Sequence, residues 1–338
     1  MRILSMDSQL NRSSGRHAEI GYSLIELLIS LTLGLLLVAA ATQLFLGGTI
    51  GVRLQQAGAD VQDNGLFGVD LMTRHLRMTN LTNGTTGPVI DTTSGGGVVL
   101  TAASVSSTTP ISLCLVTNGN GDTVSGCTTN QWTGLSNVQG SIKSDQLTIQ
   151  FQAPAAMTDC EGGQVTAGTQ VIERFFLRLD TLPGSPVSDP ALQNIVLACN
   201  AGTITGGALT GSAGTGTFGG AGQVLMNRVD QFHVLLGTAV QAGSTTAGNL
   251  AYQTINQYKN MAFAPATIKP NILSIQIALL IRSMDNTGNA ALDSAPSSYT
   301  LFDQTVTPSA TAVGKNRYVR QAYLTTVAFR NAAGVSTS

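Results

Sequence analysis

Hydrophobic residues form one long run near the N-terminus. From Leu24 to Leu46 the segment is apolar apart from Glu26 and four uncharged polar side chains, and positions 27–52 carry no charge. As a helix, these 23 residues rise about 34 Å, against a bilayer hydrocarbon core of about 30 Å. The pattern therefore predicts a helix that is long enough to span a membrane.

The helical pattern continues beyond this run as an amphipathic stripe. Its members recur at steps of three and four: Leu54, Gly58, Val61, Gly65, Val69, Met72 and Leu76. We expect Gly47, Gly48 and Gly51 to loosen the helix near the membrane edge. Asn80, Asn83-Gly84 and Gly87-Pro88 should end it near residue 80. The predicted helix is half apolar and half amphipathic.

Strand-like patterns fill the rest of the chain. They occur at Val98–Leu100, Ile111–Val116, Leu147–Phe151, Val171–Leu179, Ile195–Ala198, Val229–Leu236, Ile272–Arg282 and Tyr318–Arg330. Few helix-sized crossovers separate them, so an antiparallel sheet is expected, with one face on the helix and the other partly solvated. The segments 201–222, 237–250 and 284–316 are rich in small and polar residues and are interpreted as long surface loops.

These patterns divide the chain into four parts. Residues 1–20 form a leader without predicted structure, 22–52 an apolar half-helix, 53–82 an amphipathic half-helix, and 83–338 a β-rich globular domain. The best alternative is a break near 201–222 that separates two sub-sheets. The fold class is therefore α+β, a long N-terminal α-helix packed on an antiparallel β-sheet.

Composition excludes one class of partner. Only 10% of residues are charged and the net charge is -1, so no basic surface is expected to bind nucleic acid. The abundance of Gly, together with few charges and few aromatic residues, suits strands joined by turn-rich loops.

Glu26 is the anomaly of the apolar run, because an ionised side chain inside a membrane costs about 2.5 to 3.5 kcal/mol on insertion scales. A secretory signal peptide is one reading, with Arg2, Arg12 and Arg16 as its basic region and cleavage near Ala39–Ala41. Its apolar core is longer than the usual 7 to 15 residues. A plain membrane anchor explains the length and leaves Glu26 unexplained.

The hexapeptide Gly21-Tyr22-Ser23-Leu24-Ile25-Glu26, followed by about twenty apolar residues, resembles the class III signal of type IV prepilins and type II secretion pseudopilins. The resemblance implies cleavage after Gly21 by a prepilin peptidase, which makes residues 1–21 a prepilin leader peptide, and N-methylation of Tyr22. The family more often has Phe at that position. The resemblance also implies a partner for Glu26, the α-ammonium group of a neighbouring subunit. An apolar core tolerates a pair of opposite charges better than a single unpaired charge.

The long body and the stretch from Tyr318 to Asn331 resemble PilW-type minor pilins of type IV pilus assembly. This implies a non-enzymatic, type IV pilin-like subunit, a single-pass inner-membrane protein with a periplasmic C-terminal domain, which then enters the pilus fibre of a Gram-negative bacterium. It would help to prime assembly near the tip and would contact other minor pilins and the major pilin through its N-terminal helix.

Two alternatives to this function remain open. A GspJ-type pseudopilin of type II secretion shares the N-terminal motif and is usually smaller. A tip adhesin would bind a surface or ligand through the loops at 201–222 and 284–316. An anchored periplasmic enzyme is disfavoured, because no catalytic motif is present.

The four cysteines all follow the apolar helix, and an even number in an exported domain favours disulfides. Of three possible connectivities, Cys114–Cys127 with Cys160–Cys199 closes the shortest loops. No C-x-x-C occurs, so a metal or redox role is not expected.

Other motifs give weak indications of chemistry. Gly214–Gly219 matches G-x-G-x-x-G, without the strand and the acidic residue that a nucleotide site needs. His17, His75 and His233 lie far apart in sequence, as expected of helix-surface or strand residues. Asn118–Asp122, and Asp285–Asn289 with Asp293, have the oxygen-rich composition of calcium loops without the full ligand spacing. We expect turns there and no cofactor.

Overall fold

The computed structural model describes residues 21–81, 89–91, 93–180, 192–212, 217–239, 250–261, 269–288, 292, 298–309 and 317–330. The chain divides into two compact units, Met1–Gly51 and Val52–Ser338. Helix α1 (Leu24–Leu76) begins in the first unit, and its residues from Val52 belong to the second.

The described part of the first unit, from Gly21, is mainly the apolar part of α1. The backbone N–H groups of Glu26 and Leu27 donate to the carbonyl of Ser23, which starts the helix. The hydroxyls of Ser30, Thr32 and Thr42 donate to carbonyls of their own helix, at Leu27, Ile29 and Val38. Three of the four uncharged polar side chains of this run thereby donate their hydroxyl hydrogens without water, as an apolar surrounding requires.

The helix is not interrupted at its glycines. Gly47, Gly48 and Gly51 all lie within α1, and the loosening expected there stays a prediction. A glycine costs a helix interior about 1 kcal/mol relative to Ala and removes no backbone hydrogen bond. A long cooperative helix tolerates that cost.

In the second unit one stripe of α1 is buried, as the periodicity predicted. The buried positions are Ala57, Val61, Gly65, Gly68, Met72, His75 and Leu76. The helix ends at Leu76, and the following turn brings Asn80 to β1, where its N–H donates to the carbonyl of Gln150 at 3.1 Å. Asn80 adopts φ 63, a left-handed conformation that Asn tolerates better than most residues. Asn83-Gly84 and Gly87-Pro88 lie outside the described residues.

Two antiparallel sheets make up most of the second unit. The first has the order β1-β4-β5-β6, with β7 also paired to β5. Its strands are β1 (Leu147–Gln152), β4 (Gln170–Leu179), β5 (Ile195–Thr205), β6 (Ala208–Gly211) and β7 (Gln223–Met226). A small hairpin, β2 (Met157–Thr158) with β3 (Gln164–Val165), lies between β1 and β4 in sequence.

The second sheet has the order β13-β10-β8-β9. Its strands are β8 (Val229–Ala239), β9 (Leu250–Thr254), β10 (Asn271–Arg282) and β13 (Arg320–Ala328). Between β9 and β10 lies a short helix, α2 (Ile255–Lys259), and between β10 and β13 a hairpin of β11 (Tyr299–Leu301) and β12 (Gln304–Val306). Only Asn227 and Arg228 separate β7 in the first sheet from β8 in the second.

Helix α1 approaches both sheets closely because small residues line the contact. A Cβ atom added at Gly65 would lie 2.3 Å from Cζ of Tyr323 on β13. One added at Gly68 would lie 2.0 Å from Cγ of Met226 on β7. Val61, Met72 and Leu76 share one apolar core with residues of both sheets. Gly65 of the predicted stripe and Gly68, which the prediction did not include, are thus contact points between the helix and the strands, whereas Gly58 of the predicted stripe has no atom within 4 Å of an added Cβ.

Strands β1, β4 and β5 of the first sheet are buried on both faces, so the expectation of a partly solvated second face is wrong for these strands. The short strands β6 and β7 keep exposed residues. The side chains of Gln146, Thr148 and Gln150 are buried and bond to backbone carbonyls of the irregular segment 93–118. That segment covers the sheet and adds a second apolar cluster around Ile172 and Ile204. These alternating polar residues therefore lie on a face of the sheet whose side chains bond to backbone carbonyls instead of to water. Strand β13 keeps several exposed residues.

Several predicted elements differ in detail. Ile111–Val116 is not a strand, and within Val98–Leu100 a single bridge joins Val98 to Ile149. The segments interpreted as loops contain the end of β5, β6, the start of β9 and the β11–β12 hairpin. These short strands lack a clear alternation of their own and form by pairing with neighbours.

Candidate functional site

The predicted processing and assembly residues lie at the start of α1. Gly21, Tyr22 and Ser23 precede the helix in non-helical backbone and are exposed. Glu26 lies in the first turn of the helix, where the helix dipole favours a negative charge. Within the described part of the chain no cation pairs with Glu26. The geometry leaves the Gly21–Tyr22 peptide bond accessible and the carboxylate available.

The apolar residues that follow have no cover of their own. Every residue from 24 to 48 is exposed, and Leu24 and Leu44 reach 77% and 80%. By length and composition α1 contains a stretch that can cross a membrane. An apolar surface of this size is stable in water only when a membrane or other protein chains cover it.

A buried ion pair joins α1 to the first sheet in the second unit. Nδ1 of His75 lies 2.9 Å from Oε1 of Glu173 on β4, and the side chain of Glu173 is fully buried. The same carboxylate oxygen accepts the backbone N–H of Cys160 at 3.0 Å. Burial by itself lowers the pKa of His75, and the charge and hydrogen bond of Glu173 outweigh burial and raise it. His75 is therefore a core residue and not the helix-surface residue that we expected.

His233 on β8 lies between two carboxylates. Nδ1 is 2.8 Å from Asp145 and Nε2 is 2.8 Å from Asp303, which sits in the turn of the β11–β12 hairpin. Burial lowers the pKa of His233, but the two carboxylates dominate and raise it to about 9. Because both ring nitrogens face acceptors, the imidazolium is the form that satisfies both contacts. The arrangement ties three segments together.

Several buried charged residues on the strands were not predicted from the sequence. Asp230 accepts from Nε of Arg282 at 2.9 Å and from Nε of Arg320 at 2.8 Å, and all three side chains are almost fully buried. Arg174 stacks over the Phe176 ring at 3.6 Å, and burial lowers its pKa to about 9. The available signal was a charged residue inside an otherwise apolar strand. These groups hold strands and loops together.

Both disulfides are present in the structure. Cys114 bonds to Cys127 with a Cα–Cα distance of 5.6 Å, and Cys160 bonds to Cys199 with 6.1 Å. The first closes an irregular loop, and the second links the β2–β3 region to β5.

The candidate ligand motifs are loops in the structure. Thr217–Gly219 leads into β7 and not into a helix, so the helix N-terminus of a nucleotide site is missing at this place; Gly214–Gly216 lie outside the described residues. Asn118–Asp122 is a turn in which the N–H of Gly119 donates to Asp122. Asp285–Gly288 begins in a bend and is otherwise irregular backbone, in which the N–H of Gly288 donates to Oδ1 of Asn286 at 2.9 Å. Asn289, Asp293 and His17 lie outside the described residues. Over the described ranges no three His, Cys, Asp or Glu side chains cluster as metal ligands.

Comparison with known proteins gives a match to a family model and matches to solved structures, including a pilin. The family model "Type IV Pilus-assembly protein W" (PilW) matches residues 199–331, less than half of the chain, from within β5 to just beyond β13. A search of the curated proteins finds no match. The chain is also similar to a type IV-like pilin from Thermus thermophilus, with 13% identity and a TM-score of 0.28, over 56% of this chain and 78% of that one.

The family match and the N-terminal motif lie at opposite ends of the chain and are independent of each other. The motif comprises residues 21–26, whereas the family model begins at Cys199. The resemblance to PilW-type type IV pilus assembly proteins is thereby confirmed over residues 199–331.

Proposed function

We propose that the protein is a minor pilin that is processed by a prepilin peptidase and incorporated into type IV pili. The observation that carries this proposal is the start of α1, an exposed apolar helix with Glu26 in its first turn behind an accessible Gly21–Tyr22 bond. The PilW match at the other end of the chain supports it. The role is structural and assigns no catalytic residue.

In this proposal the apolar half of α1 has two successive environments. Residues 22–46 first hold the protein in the inner membrane, with the β-rich domain in the periplasm. The same residues then pack against neighbouring subunits in the fibre. The exposure of residues 24 to 48 supports a segment that needs cover from outside its own chain.

Glu26 supplies the register of assembly. Cleavage after Gly21 creates an α-ammonium group at Tyr22, and a carboxylate in an apolar surrounding requires a cation close by. The ammonium group of one subunit pairs with Glu26 of the next. The neighbour that supplies the ammonium group for Glu26 lies on the tipward side of the protein. The protein itself lies near the tip of the fibre, where it helps to prime assembly.

Mass spectrometry of the membrane-extracted protein tests the processing step. We expect a mature N-terminus at N-methylated Tyr22 in the native chain and an intact leader in a Gly21→Ala variant. A mature chain that begins after Ala41 would contradict the proposal and favour a signal peptide.

Sheared pili test the assembly step. Glu26→Ala should be cleaved normally and should be depleted from the pilus fraction, whereas the control Asp60→Ala, which removes an exposed carboxylate from the same helix, should enter it. Deletion of the gene should abolish surface pili and twitching. Loss of exported enzymes with intact pili would instead indicate a pseudopilin of type II secretion.

A further inference from the structure

The oxygen-rich loop Asn118–Asp122 binds a cation that the protein itself provides. Nζ of Lys259, the last residue of α2, lies 2.9 Å from Oδ1 of Asn118 and 3.1 Å from Oδ2 of Asp122. The two charged side chains are 19% and 10% exposed. The ammonium group therefore lies against side-chain oxygens of the kind that bind calcium in loops of this composition.

The oxygens of the loop are oriented by other contacts. Asn118 donates both hydrogens of its amide, to the carbonyls of Leu113 and Val116, so that its Oδ1 faces Lys259. Asp122 accepts the N–H of Gly119 at 2.7 Å through Oδ2 and the side-chain amide of Asn256 at 3.1 Å through Oδ1. The loop is thus built to present oxygens to one point.

Helix α2 is fixed from its other side, so the ammonium group is positioned in advance. Thr254 and Gln257 form a capping box at its N-terminus. Nζ of Lys269 donates to the carbonyls of Tyr258 and Lys259 at its C-terminus and pairs with Asp91. Gly119 lies close beneath the helix, since a Cβ added there would lie 2.8 Å from Cβ of Ile255.

We propose that Lys259 is the resident cation of the loop Asn118–Asp122, which therefore needs no calcium and is selective for a primary ammonium group. Lysine suits this position because it is a compact charge with three donors, whereas the planar fork of Arg does not fit oxygens arranged around one point. Burial lowers the pKa of Lys259 and Asp122 opposes that shift. The ion pair couples α2 to the loop that the Cys114–Cys127 disulfide closes.

Thermal unfolding of the full chain in detergent tests this inference. Fluorescence of Trp132, the only tryptophan, reports on the region, because its indole N–H donates to the carbonyl of Ser144 and its backbone N–H to that of Cys114. The wild-type Tm should change by less than about 1 °C with millimolar calcium or with a chelator, a shift equivalent to well under 1 kcal/mol. A calcium-dependent shift of several degrees would overturn the proposal.

Chemical rescue supplies the second arm. Lys259→Ala should lower the Tm by roughly 5 °C, and n-propylammonium, which matches the deleted part of the side chain, should restore part of it. n-Propanol should not. The control Lys143→Ala, at an exposed lysine, should not respond to either compound, and it is followed by circular dichroism because Nζ of Lys143 lies 5.2 Å from the centroid of the Trp132 ring. Equal rescue by the alcohol, an unchanged Tm in Lys259→Ala, or a folded variant that ignores n-propylammonium would each contradict the proposal.

If Lys259→Ala does not fold, a second variant, Asp122→Asn, still tests the inference. Asp122→Asn removes the charge of the loop and keeps its shape. It should lower the Tm, and n-propylammonium should not restore it, because the lysine still occupies the site. A Tm equal to that of the wild type in this variant would contradict the charge pairing.

Discussion

His75 of α1 and Glu173 of β4 form a buried pair, with Nδ1 of the imidazole 2.9 Å from Oε1 of the carboxylate. The pair joins the last turn of the helix to the centre of the first sheet. Because Glu173 also accepts the N–H of Cys160, helix, strand and disulfide meet at one carboxylate. A substitution in the helix, the strand or the disulfide should therefore affect the other two.

Removal of one partner of this pair should be costly. His75→Ala leaves Glu173 buried without its cation, which costs about 3 to 5 kcal/mol in comparable sites. The exposed pair Asp70–Arg74 in the same helix is the control, and Arg74→Ala should cost at most about 0.5 kcal/mol. Urea unfolding followed by circular dichroism gives both values. Similar losses from the two variants would mean that the buried pair has no special role.

Stability should fall with rising pH through His233. Its folded pKa of about 9 exceeds the ordinary 6.5, so the native state binds the proton more tightly than the unfolded chain does. The contribution is complete below pH 6.5 and is lost between there and about 9, with an upper limit of about 3 kcal/mol.

Unfolding curves across this pH range measure the effect of His233. A His233→Gln variant should be less stable at pH 6 and should show a flatter profile between pH 6.5 and 9. His75, whose pKa is also raised, contributes in the same direction and remains in that variant. A His233→Gln profile as steep as that of the wild type would refute the assignment.

Gly65→Ala should separate α1 from the second sheet. The new Cβ would lie 2.3 Å from Cζ of Tyr323, whose hydroxyl donates to the carbonyl of Val61 in the same helix. Overpacking of this kind costs about 1 to 3 kcal/mol. Gly58→Ala, where no atom lies within 4 Å, should instead stabilise the helix by up to about 1 kcal/mol. Thermal unfolding of both variants measures the difference.

The two disulfides should contribute unequally. In the chain-entropy model, the bond across 39 residues, Cys160–Cys199, stabilises by about 1 kcal/mol more than the bond across 13, Cys114–Cys127. Replacement of each pair by serine, with denaturant unfolding, measures both contributions. A greater loss from the shorter loop would contradict this order.

Much of the fold follows from local patterns. The three- and four-residue spacing from Leu54 to Leu76 predicted the buried stripe of α1, and alternation predicted β1, β4, β8, β10 and β13. Strands such as β6 and β11 carry too few residues for a period to be visible. These short strands form because their backbone pairs with that of neighbouring strands.

The sequence by itself determined the apolar helix, its Glu26 and the two-residue alternation of the long strands, because each depends on residues that are close together in the chain. The tertiary structure decided which polar residues are buried. Gln150, His75 and Lys259 are of residue types that usually lie at the surface. Each makes a hydrogen bond to a partner between 46 and 141 positions away in the sequence. Burial of a polar group depends on a partner being close in space, and a partner so far along the chain leaves no trace in local periodicity.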